Sequence, residues 1–302
     1  MKPSGNTWKL ASRSFAAVAM AAALAACGGG DDDNDVAPPP GGTMTQADAE
    51  TWSRTAASGF ALVNVAQTLM QLDLRDYTSS QLPAGQQRTT SNCPSGGTIT
   101  VDYRKTAGGA VGDYIQLDYD NCRNADTEQD GMRRLAVVAA NRDAVRFEER
   151  FRDYSFRAQG AIDVEIDDGV LAVSVGDAGR PLEWFASNLK GDVEALNDQT
   201  RRAYAPGDVT VSGNAASTTV GNQTTMSFTL NTRHESGLEL RAASNPNIVS
   251  TDAATNGAVL LTTANRPARV LNTLDGGRTV VQLDSGGSGQ YGSSSVIDAR
   301  LY

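Results

Sequence analysis

The chain has 302 residues, of which 40% are hydrophobic, and a formal net charge of -9 at pH 7. Its length provides for one large domain or two smaller ones, and its acidic balance argues against broad electrostatic binding to nucleic acid or an anionic lipid surface, since both repel a negative protein. Basic residues are scattered, and the clusters Arg133-Arg134 and Arg201-Arg202 are too short to reverse this.

The first 26 residues carry Lys2, Lys9 and Arg13, then an apolar run from Phe15 to Ala26, with no acid. That pattern predicts a secretory signal. The run is shorter than the roughly 20 residues that cross a hydrocarbon core, so a permanent transmembrane helix is not expected. Removing residues 1–26 takes away three positive charges and no negative ones, which moves the net charge from -9 to -12.

The quartet Leu24-Ala25-Ala26-Cys27 resembles the lipobox of bacterial lipoproteins. The resemblance implies that Cys27 is acylated and becomes the mature N-terminus. Gly28 follows it where Asp would favour inner-membrane retention, so outer-membrane sorting is implied, with the domain facing the periplasm. The alternative is a plain secretory signal cut after Ala26, leaving an ordinary thiol. Several acyl chains, each methylene contributing about 0.8 kcal/mol, hold a protein on a bilayer. Residues 27–43, which contain GGGDDDNDVAPPPGGT, read as a solvated tether: glycine is flexible, the acids repel one another, and Pro38 to Pro40 stiffen the exit. A calcium site at Asp31 to Asp35 would need glycine punctuation that this run lacks.

From residue 44 to 302 the chain reads as one domain, a helix followed by β structure, with a subdivision conceivable near 191–208, where alternation lapses. Residues 45 to 72 have helical spacing: Trp52, Ala56, Phe60, Val63 and Met70 lie near one stripe, with Leu62, Val65, Leu69 and Leu72 beside it. Thr45 and Asp48 would cap the start, and Gly59 leaves one helix or two open.

With Cys27 assigned to lipid, Cys93 and Cys122 remain as a pair in an oxidising envelope and are predicted to form a disulfide. A redox or metal pair is the alternative, but their spacing lacks the CxxC signature and no His or Cys partner is nearby. Between them, Ile99, Val101 and Tyr103 face one way, as do Ile115, Leu117 and Tyr119, the period of a half-buried hairpin. Residues that oppose each other with those sets matched have positions of even sum, whereas 93 and 122 sum to an odd number. Pro94 to Gly97 must therefore absorb one residue.

This bracket resembles a pattern in uncharacterised lipoproteins of Gram-negative bacteria: CPSGGT, a strand, a glycine-rich turn, Gly-Asp, a second strand and Asn-Cys. It stands here as Cys93 to Thr98, Gly112-Asp113 and Asn121-Cys122. NGAVLLTTANRPARVL and GGRTVVQLDSGGSGQY are similar to C-terminal strands of the same proteins. The resemblance implies a β-rich envelope domain and carries no catalytic residues.

Further on, Ile162, Val164 and Ile166 are expected to pair with Val175, Val173 and Leu171 around a reversal at Asp167-Asp168-Gly169. Met226, Phe228 and Leu230 match Ala242, Leu240 and Leu238, with the turn centred on His234. Another reversal is expected at Asp275-Gly276-Gly277. Strand candidates lie at 135–139, 145–151, 154–157, 183–189, 209–212 and 259–263, more than ten strands in all. Alternation changes phase between Phe151 and Tyr154, which predicts a bulge. The architecture expected is mainly β: a large curved antiparallel sheet or partial barrel of hairpins, with an N-terminal amphipathic helix packed on one face.

The catalytic inventory is thin. His234 is the only histidine and is expected to be solvated at a hairpin tip. No GxSxG, phosphate loop or dinucleotide fingerprint is present. Asp118, Asp120, Asp163 and Glu165 alternate with apolar neighbours and belong on the solvent face. The turn LDSGGSGQY has calcium-loop flavour, but Asp284 is its one carboxylate and a glycine-rich reversal accounts for it. No catalytic residue, metal site or cofactor is nominated, and any ligand-binding residue is unassigned.

Three classes of function are compatible with this reading. The first is a non-enzymatic structural or interaction module, anchored to the membrane by lipid and meeting another envelope protein. The second is a carrier of an apolar ligand or lipid between sheet and helix, where Trp52, Phe60 and Met70 would line either a cavity or a packed core. The third, placed last, is a carboxylate-based hydrolase. Nucleic acid is not an expected partner.

Overall fold

The computed structural model describes residues 43–78, 82–107, 109–141, 144–176, 181–195, 204–220, 223–245, 247–250, 255–275 and 278–297. The expected signal at 1–26, Cys27 and all of the expected tether but residue 43 lie outside them, as do Arg201-Arg202 and Gly276-Gly277. Among the described residues one helix, α1 (Gln46–Thr78), precedes fifteen strands. The first seven are β1 (Gly85–Asn92), β2 (Thr98–Lys105), β3 (Tyr114–Arg123), β4 (Thr127–Ala140), β5 (Ala144–Ala158), β6 (Ile162–Gly176) and β7 (Pro181–Ala195). Next come β8 (Val209–Val220), β9 (Gln223–His234), β10 (Glu239–Ser244) and β11 (Ile248–Ser250). The last four are β12 (Thr255–Thr263), β13 (Arg266–Asp275), β14 (Arg278–Asp284) and β15 (Ser293–Ile297).

All strands join one antiparallel sheet in near-sequential order, with the short β11 set between β9 and β12. β1 and β15 stand at opposite ends, so the sheet is open rather than a closed barrel. Such a meander follows from short reversals, which make consecutive strands neighbours. The sheet also runs across the stretch where alternation lapses, since β7 and β8 pair directly, Gly191 opposite Val209.

α1 is a single helix, and at about 1.5 Å per residue its 33 residues span about 50 Å. Its start is fixed as the sequence predicts: Thr45 N donates to Asp48 Oδ2 at 2.8 Å, and Asp48 N donates to Thr45 Oγ1 at 3.2 Å. The helix packs against β3, β4, β6 to β10 and β12 to β15, which places it along the inner face of the curved sheet. From Thr55 to Phe60 every residue is buried, so the middle of the helix is enclosed on all sides. On the outside, Ser58 Oγ accepts from Ala205 N at 3.0 Å, in the connection between β7 and β8. Gly59 does not break the helix. A side chain there would meet Thr232 Oγ1 of β9 at 2.5 Å, so glycine allows helix and sheet to approach.

The predicted pairing of β2 with β3 is present, with Ile99 opposite Tyr119, Val101 opposite Leu117 and Tyr103 opposite Ile115. The bulge in β5 is also present, with Asp153 at φ 47° between the inward Phe151 and Tyr154. Reversal between β13 and β14 occurs where expected, Asp275 opposite Arg278.

Two hairpin expectations need correction. Asp167-Asp168-Gly169 is not a reversal: β6 runs straight through it, and both halves pair with β5 on one side and β7 on the other. Its register shifts there, Gly169 has φ 138°, and a Cβ on it would lie 2.5 Å from Leu189 Cα. A bulge flips the inward parity of a strand just as a turn does, so the apolar pattern of β6 fits both. The β9–β10 hairpin exists, but Leu230 faces Ala242 rather than Leu238. Its turn follows His234, whose carbonyl accepts from Gly237 N at 2.9 Å, with Gly237 at φ 88°. The partner of Leu230 moves by four residues, and any even slip keeps every side chain on its face, so alternation alone does not determine this register.

The irregularities line up. Asn121 in β3 (φ 45°), Gly131 in β4 (φ 82°), Asp153 in β5, Gly169 in β6 and Asn188 in β7 (φ 48°) sit at successive register shifts from β3 to β8. Together they form a crease across the sheet, and bulges of this kind increase local bend and twist.

Candidate functional site

The cysteine bracket is a built structural element. Cys93 and Cys122 form a disulfide with Cα atoms 5.4 Å apart, and both are buried. Cys93 opens the β1–β2 turn: Cys93 N donates to Gly97 O at 3.0 Å and Gly96 N to Cys93 O at 3.2 Å. Arg123 N then donates to Gly96 O at 2.9 Å, and Ser95 N to Arg123 O at 3.0 Å, so this turn takes up the mismatch between the cysteines and the strand register.

Gly112-Asp113, the second part of the pattern, organises the β2–β3 connection. Asp113 is buried and accepts four hydrogen bonds: from Thr106 N and Thr106 Oγ1 at 2.8 Å each, Ala110 N at 3.0 Å and Tyr77 Oη at 3.1 Å. Burial pushes its carboxyl up, but the donors from Thr106, Ala110 and Tyr77 outweigh it and hold the group below the usual carboxylate range. Burial, then the bond to Asp113 and its charge, raise the Tyr77 phenol. The last turn of α1 is thereby tied to the sheet.

An ionic cluster lies under the same end of the helix. Arg133 of β4, Asp73 of α1 and Glu149 of β5 are each less than 5% exposed. Arg133 Nη2 stands 3.2 Å from Asp73 Oδ1 and Nη1 3.9 Å from Glu149 Oε1. Arg133 also donates to Tyr119 Oη at 3.1 Å and lies over the rings of Tyr119 and Tyr154, 5.7 and 5.0 Å from their centroids. Tyr154 Oη in turn donates to Gln129 Oε1 at 3.1 Å. No sequence motif marks Asp73, Arg133 or Glu149 as a site residue. A parity signal nonetheless exists, because Arg133 shares the inward phase of Leu135 and Val137, and Glu149 that of Phe147 and Phe151.

His234 departs from expectation: it ends β9 and is 6% exposed rather than solvated. Its Nε2 bonds Pro206 O at 2.7 Å, and Ser236 N donates to its Nδ1 at 3.2 Å. The carbonyl of Pro206 can only accept, so the proton sits on Nε2 and Nδ1 is the acceptor. The ring pins the β9–β10 turn to the segment that crosses the helix. Beside it, Pro206, Gly207, Glu235 and Ser236 line a shallow, open cleft.

Asp284 is turned onto its own loop, accepting from Ser288 N at 3.1 Å and Gly289 N at 2.6 Å. Burial raises its carboxyl, and the amides of residues 286–289 outweigh that and lower it. Asp118, Asp163 and Glu165 lie on the outer face beside buried neighbours, and Asp120 is exposed near the end of β3. Trp52, Phe60 and Met70 are buried in the core cluster. Among the described residues no group of three or more His, Cys, Asp or Glu is placed to hold a metal ion, and no helix is long and apolar enough to cross a membrane. No protein-family model, curated protein or solved structure matches the chain.

Proposed function

We propose that this protein is a non-enzymatic structural or interaction module of the bacterial envelope, anchored through acylated Cys27 to the outer membrane and presented to the periplasm by the tether 27–43. The observation that carries this reading is the occupancy of the inner face of the sheet. An apolar ligand of a curved sheet would sit there, and α1 fills it, with Trp52, Phe60 and Met70 at 1%, 4% and 2% exposure in a continuous core. Function is left to the outer face and the edges. β1 suits strand addition from an envelope protein: it ends the sheet, its residues GQQRTTSN are almost all exposed, and it contains no proline, lysine or inward charge to blunt pairing.

Two experiments test this. Cys27→Ser is expected to abolish labelling by a radioactive fatty acid and to leave the protein soluble or uncleaved, and persistent labelling would refute the anchor. A photo-crosslinker at Thr89 in intact cells is expected to capture a defined envelope protein that the same probe at Glu165, on the outer face of β6, does not. Equal, diffuse capture at both positions would refute the role of the edge.

A further inference from the structure

We propose that the folded protein holds Glu149 protonated, its hydroxyl donated to Asp73, so that the C-terminal half of α1 is clamped to β5 by one shared proton and to β4 by Arg133. The cluster contains two carboxyls and one guanidinium with almost no contact with solvent. With both acids ionised it would bury a net negative charge, and an uncompensated charge in a water-poor interior is far more costly than uptake of a proton. Asp73 is the better placed to stay ionised, 3.2 Å from Arg133 against 3.9 Å for Glu149.

The hydrogen-bond inventory points the same way. Asp73 Oδ2 and both oxygens of Glu149 are buried and have no N–H or O–H donor when both groups are written as carboxylates. A proton on Glu149 supplies a donor that satisfies Asp73 Oδ2 and removes the repulsion between the acids. Every neighbouring element fits this state. Besides Arg133, β4 presents Gln129, β3 presents Tyr119, β5 presents Tyr154, and β6 places Leu171 opposite Glu149, while Asp76 is the next acid along α1. None of these is a second cation. Burial, then the charge of Asp73, drive the Glu149 carboxyl well above the ordinary range, and burial raises Asp73 in spite of Arg133.

The sign follows from linkage. A carboxyl raised on folding contributes stability that is fully present below its unfolded value and is lost as pH rises toward the folded one. The stabilisation is therefore greatest below the ordinary carboxylate range and falls as pH rises from there toward the folded value, where the second carboxylate forms against the helix. Each pH unit in that window changes the unfolding constant by up to about tenfold.

The test uses the mature chain with its disulfide intact. Infrared spectra of protein carrying glutamate labelled with 13C at the side-chain carboxyl are expected to show a protonated-carboxyl band at pH 7 that vanishes in Glu149→Gln. Denaturant unfolding from pH 6.5 to 9 is expected to show the unfolding constant of the wild type rising with pH, and that of Glu149→Gln, whose amide still donates to Asp73, staying flat. Absence of the band from the wild type at pH 7 overturns the proposal whether or not the variant folds. An unchanged pH slope in a folded Glu149→Gln does the same.

Discussion

Asp113 shows how much one side chain holds. Its carboxylate gathers the β2–β3 connection and the last turn of α1 through four donors, among them Tyr77. Asp113→Asn turns an amide against several of those donors and is expected to destabilise the domain by about 1–3 kcal/mol, measured by urea denaturation at neutral pH. Because this carboxyl is lowered on folding, its contribution exists above the ordinary value and is lost as pH falls through the folded one, so the loss on substitution shrinks in strong acid. The disulfide acts chiefly on the unfolded chain. Its 29-residue separation predicts that Cys93→Ser with Cys122→Ser lowers stability by about 3.5 kcal/mol on the chain-entropy account, a value checked by comparing oxidised and substituted proteins in the same denaturant series.

Among the elements, the contact of α1 with β9 is decided by one missing Cβ. Glycine in mid-helix costs about 1 kcal/mol relative to alanine, yet a methyl group at Gly59 would enter the space of Thr232. Gly59→Ala is therefore expected to destabilise the wild type and to stabilise a Thr232→Ala background, a coupling that a double-mutant cycle by thermal unfolding would measure. Thr232 Oγ1 is buried with no hydrogen-bond partner, so its removal is close to neutral. Equal effects in both backgrounds would contradict the contact.

The elements also show what is legible in the sequence. Alternation locates the apolar strands, and the Thr45/Asp48 signature locates the start of the helix. It does not say whether a phase change is a turn or a bulge. Phe151 to Tyr154 in β5 and Ile166 to Leu171 in β6 both change parity, and only the pairing of neighbouring strands makes each a bend in a continuous strand. β1 and β15 carry too few apolar residues to show a phase, and hydrogen bonding to β2 and β14 alone defines them. The ionic cluster was hidden for a different reason: its members come from α1, β4 and β5, and no local spacing connects residues 73, 133 and 149.

At the scale of the molecule, acidity concentrates where like charges face each other across strands. Glu165 lies opposite Asp192, and Asp163 opposite Glu194. Burial first, and then the charges of Glu194, Asp208 and Glu165, raise Asp192 to about 6 in spite of a bond from Val193 N. Its contribution to stability is full below the ordinary carboxylate range and is lost as pH rises toward 6. Asp192→Asn is expected to reduce the slope of stability between pH 4 and 6 in a denaturant series, where Glu149 also contributes, while leaving the slope above pH 6.5 attributed to Glu149 untouched. An unaltered slope below pH 6 would mean that Asp192 does not contribute to it.

The open sheet with a helix on its inner face also sets the terms for function. On the proposed reading the filled interior leaves a module that works through its surface, whereas a ligand held between α1 and the sheet would make it a carrier. Native mass spectrometry of residues 44–302, purified from the cells that make the protein, separates the two most directly. The module reading predicts the mass of the polypeptide alone, and a stoichiometric lipid or other apolar molecule bound to it would contradict that reading.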